Sequence, residues 1–76
     1  MYYEINVALH GRHYFATAPR SIQDNEKLLQ VYGDIRARFP FAEGYTLSVT
    51  YDPEVRYGVH VDLEKGAVHN EYRDGR

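Results

Sequence analysis

Between Pro19 and Pro40 lies the one stretch of this chain whose apolar residues recur at helical spacing: Leu28, Val31 or Tyr32, Ile35 and Phe39. Most of what lies outside it alternates with period two. One helix can cover only one face of one sheet. The pattern therefore predicts an α+β fold: an antiparallel sheet of four or five strands with one helix on one face, in the order β-β-α-β-β, with an optional last strand.

The helix has its own start and stop signals. Ser21, Asp24 and Asn25 are all competent N-caps, and Ser21-x-x-Asp24 approximates a capping box, so the helix begins between Ser21 and Asn25. Arg36 and Arg38 fall in the last turn, where cations complement the helix dipole, and Pro40 forbids continuation past Phe39. Gly33 within it costs about 1 kcal/mol relative to alanine, which suggests a close approach to the sheet or simple tolerance.

Tyr3, Ile5, Val7 and Leu9 alternate with Tyr2, Glu4, Asn6 and Ala8 as a half-buried strand. His10-Gly11 then marks a turn, and Arg12 to Ala18 returns as a second strand until Pro19. Tyr45, Leu47, Val49 and Tyr51 form a third, and Tyr57, Val59, Val61 and Leu63 a fourth, joined by turn chemistry at Asp52-Pro53-Glu54. Glu64-Lys65-Gly66 reverses the chain again, and Ala67 to Tyr72 supplies the optional fifth strand. The chain reads as a single domain over residues 1–76, with 73–76 as a frayed tail. Glu4, Asn6, Thr46, Ser48, Thr50, His60 and Asp62 would line the helix-free face, as polar residues do on an antiparallel sheet open to water.

The hairpin admits two registers. A two-residue turn at His10-Gly11 pairs Leu9 with Arg12 and Val7 with Tyr14, so that His13 and Phe15 point away from the helix. A three-residue loop pairs Val7 with Phe15 and exposes Tyr14 instead. The x-Gly signal favours the first.

No cysteine is present, so there is neither a disulfide framework nor a thiolate metal cage, and the cytoplasm is the expected compartment. No run approaches the roughly 18 apolar residues of a membrane span. Nine basic residues against eleven acidic ones give no global field that would draw the chain onto nucleic acid or lipid. His10, His13, His60 and His69 show no metal-ligand spacing of a known kind, and no serine sits in a nucleophile elbow. No enzyme activity, metal or cofactor is expected.

What remains is binding. Eight tyrosines without a tryptophan suit both strands and interfaces. Arg12, His13 and Phe15 of the first hairpin, with Tyr2, Tyr57 and Tyr72, are the candidate partner-binding residues. They would act through an exposed sheet edge or through aromatic anchors. Homodimerisation would use the same physics. The alternative is a nucleic-acid-binding module in which Tyr2, Phe15 and Tyr14 form a stacking platform flanked by Arg12 and Arg20.

Read whole, and chiefly in the segments YYEINVALHGRHYFATAPRSI and FPFAEGYTLSV, the chain resembles small accessory proteins of bacteriophage genomes and other mobile elements. That resemblance implies a stoichiometric binder that blocks or redirects a host protein, including components of anti-phage defence. It assigns no residue a role.

Overall fold

The computed structural model describes residues 2–51 and 57–71. The first alternating run becomes β1 (Tyr3–Leu9), in which Tyr3, Ile5 and Val7 are buried while Glu4 and Asn6 are only partly covered. The chain continues through β2 (Arg12–Ala16), α1 (Asn25–Arg38), a single 3-10 turn over Phe41–Glu43, then β3 (Tyr45–Tyr51), β4 (Tyr57–Asp62) and β5 (Ala67–Glu71). The five strands form one antiparallel sheet in the order β2-β1-β3-β4-β5. The optional fifth strand is formed as far as Glu71. Tyr72, the tail 73–76 and the Asp52-Pro53-Glu54 turn lie outside the described residues.

Helix α1 carries the chain from β2 past β1 to β3, and lays Leu28 on the face presented by the odd-numbered residues of β1 and β3. Tyr3, Ile5, Val7, Ile22, Leu28 and Val49 form the buried core. Val31, Tyr32, Ile35, Leu47, Tyr51, Val59, Val61 and Val68 pack around it. Complete burial of a side chain such as Ile5 or Leu28 contributes about 1.5–3 kcal/mol. On the other face Thr46, Ser48 and His60 are exposed, as alternation predicts.

The structure chooses between the alternatives that the sequence left open for the helix, and the approximate capping box is not made. Asp24 is the N-cap and its carboxylate accepts from the Lys27 N–H at 2.7 Å. Ser21 instead donates its hydroxyl to the Ala18 carbonyl at 2.7 Å. The space beside Gly33 faces Leu63 Cδ2, 4.0 Å from where a Cβ would lie. That is ordinary contact, so the glycine is tolerated rather than required.

Ile22, which the periodicity does not single out, is 1 % exposed although it lies in the loop before α1. Its carbonyl accepts from the Tyr3 N–H at 2.8 Å in an isolated bridge, which ties that loop to the start of β1. The Tyr3 hydroxyl donates to Asn25 Oδ1, and its ring lies 4.7 Å from that of Tyr51. Burial, then the neighbouring Tyr51 and Asp24, raise the Tyr3 pKa above its usual value.

Candidate partner-binding surface

The end of the sheet opposite Tyr3 is organised by three chain reversals. His10 (φ 52°) and Gly11 (φ 83°) both take positive φ, the signature of a two-residue type I′ hairpin turn, and Leu9 pairs with Arg12 as expected. At the end of α1, Phe39 is the C-cap, its N–H donating to the Ile35 carbonyl at 2.8 Å, and Pro40 diverts the chain into the 3-10 turn. Gly44 (φ 97°) closes that turn and accepts from the His10 N–H at 2.9 Å. The backbone angle favours glycine at residue 44, and a Cβ there would also have to displace the exposed His10 imidazole.

The hairpin register then changes. Beyond the Ala8–His13 pair a β-bulge follows, and Val7 pairs with Phe15 rather than Tyr14. The expectation that Phe15 points away from the helix is thereby overturned, although the two-residue turn behind it is formed. The extra residue brings Tyr14 and Phe15 to the same side, because a bulge sets two residues against one. Phe15 is half-buried against the core, while Tyr14 is 53 % exposed.

Four rings meet there. Phe39 lies 5.3 Å from Phe15, 5.1 Å from Tyr45 and 6.2 Å from Tyr14, all in tilted or edge-to-face arrangements. Tyr14 also contacts Phe15 and Tyr45 at 5.6 and 5.8 Å. Such pairs contribute about 0.5–1.5 kcal/mol beyond the area they bury. Beside them Phe41 is 64 % exposed, with the Arg36 guanidinium 5.7 Å above its ring centre. Leu63, in the β4–β5 turn at the same end, is 42 % exposed. Next to it an open cleft of about 350 Å³ is lined by Tyr32, Arg36, Val61, Asp62 and Leu63, among others.

The candidate binding residues are thus divided between two ends of the sheet. Arg12 and His13 are exposed on the edge strand β2, and Phe15 joins the ring cluster. Tyr2 precedes β1 at the far end, and Tyr57 pairs with Tyr51, itself opposite Tyr3. Tyr72 lies outside the described residues. Tyr14 and Phe15 face the helix side, so they do not form a stacking platform on the open face. Sequence reasoning missed Phe41 and Leu63 as exposed residues and Tyr45 as a member of the ring cluster. The FPF around Pro40 held the available signal, since a helix stop between two phenylalanines leaves little room to bury both.

No family model matches the chain, and neither a curated protein nor a solved structure matches it. Among the described residues, no helix is long and apolar enough to cross a membrane.

Proposed function

We propose that this chain is a small, non-enzymatic protein-binding module of the cytoplasm that covers a functional surface of a protein partner. This is the mode of action of phage-type accessory proteins that inhibit host proteins, defence components included. One observation carries the reading: the three large apolar side chains exposed among the described residues, Tyr14 on β2, Phe41 in the 3-10 turn and Leu63 in the β4–β5 turn, all lie at the same end of the sheet. Aromatic and arginine side chains dominate interface energetics, and Arg36 over Phe41 supplies both kinds. Arg12 and His13 stand at the margin of the same end.

The test is capture of the partner from host lysate, followed by cross-linking and comparison of variants. Tyr14→Ser with Phe41→Ser should abolish capture, whereas Ser48→Lys on the open face should leave it intact. Loss with Ser48→Lys and retention with the double variant would move the site to the other face. Self-association appears in the same experiment as cross-linked copies of the chain. Binding to nucleic acid would instead weaken steeply as salt is raised.

A further inference from the structure

His60 and His69 are directly opposed in the β4–β5 register, on the sheet face that α1 does not cover. Both side chains are exposed, and their rings lie nearly parallel, 24° apart in plane, with centres 6.3 Å apart. The neighbouring positions on this face are Ser48 on β3, Gly58 and Asp62 on β4, and Ala67 and Glu71 on β5. Among the described residues neither imidazole takes part in a side-chain hydrogen bond. Two exposed imidazoles therefore stand side by side, open to solvent.

We propose that this pair is a two-histidine site for a divalent cation that prefers imidazole, such as zinc. Directly opposed residues in an antiparallel pair have Cβ atoms about 4.5–5.5 Å apart, close enough for both side chains to reach one ion. With Zn–N distances of about 2.0–2.1 Å and tetrahedral geometry, the two ring centres would lie about 5 Å apart. Closing from the observed separation needs only rotation of two exposed side chains, since the strand register already sets their spacing. Zinc, copper and nickel all accept imidazole well, whereas magnesium and calcium select oxygen ligands.

No group of three His, Cys, Asp or Glu side chains poised for a metal occurs among the described residues, so water completes the coordination. Asp62 lies two residues along β4, but its carboxylate accepts from the Lys65 N–H at 3.2 Å and stays with the β4–β5 turn. A bound ion would clamp β5 to β4, and this edge of the sheet would become more stable on loading. The imidazole pair lies on the other face of the sheet from the ring cluster, although His60 also contributes to the cleft beside Leu63 and Arg36.

The test is titration of tag-free protein with zinc chloride, followed by calorimetry and thermal unfolding. The wild type should bind one equivalent and melt at a higher temperature with zinc. His60→Ala and His69→Ala should each weaken binding at least tenfold and lose the thermal shift, while melting normally without metal. His13→Ala should bind as the wild type does. Absence of saturable binding at millimolar zinc, or affinity unchanged in both His60→Ala and His69→Ala, would overturn the assignment. So would a loss seen equally in His13→Ala.

Discussion

At the N-terminal end of α1, Tyr3 and Ile22 close the molecule with a backbone bridge, a side-chain hydrogen bond to Asn25 and nearly complete burial. At the C-terminal end, the rings of Tyr14, Phe15, Phe39 and Tyr45 meet, and Tyr14 and the nearby Phe41 remain largely in water. The difference lies in what each end has to pack against. A loop residue, Ile22, folds inward over Tyr3, whereas at the other end Tyr14 and Phe41 stay exposed. One end consumes its apolar surface in folding and the other keeps it available.

Substitutions can test that contrast, beginning with the strongest. Ile22→Ala should destabilise the fold by about 2–4 kcal/mol in urea unfolding, because the site is sealed and cannot collapse without cost. A loss well below 1 kcal/mol would mean that this end is not closed as described. Asp24→Ala removes the N-cap and should cost about 1 kcal/mol by the same measurement.

Tyr3→Phe tests the closed end through pH. The folded-state pKa of Tyr3 is raised above its reference value of 10.0. Its neutral phenol is therefore favoured by folding, and the stability this contributes is complete below pH 10 and lost as pH rises through the folded value. The stability difference between wild type and Tyr3→Phe should be constant at neutral pH and should shift against the wild type above pH 10. A parallel pair of pH profiles would show that the hydroxyl is not held inside.

Tyr14→Ser removes three edge-to-face contacts at a half-exposed position and should cost about 1 kcal/mol. Its main effect belongs in partner capture, and a large loss of stability would make the open end part of the core after all. Gly33→Ala should stabilise the chain by about 0.5–1 kcal/mol, since a methyl there meets only Leu63 at contact distance. Destabilisation would show that the helix lies closer to the β4–β5 turn than described.

How legible these ends were in the sequence depended on the range of the interactions that build them. Period-two and helical spacing are local, so β1, β3, β4 and the span of α1 with its stop at Pro40 could all be read from neighbouring residues. The His10-Gly11 turn was equally readable, because positive φ at two adjacent positions is a local demand. The bulge was not, since its extra residue is defined only by the strand it faces. It changed the most consequential assignment in the hairpin by turning Phe15 toward the helix side beside Tyr14.

By itself, the sequence determined one helix on one antiparallel sheet, the odd-numbered core face and the absence of cysteine chemistry. Each follows from residue type and spacing within a few positions. Only the tertiary structure decided that Ile22 completes the core, that four rings meet beside Pro40, and that His60 stands opposite His69. Those are contacts between segments far apart in the chain, set by the register of paired strands and by the path of the loops. No local period encodes either one.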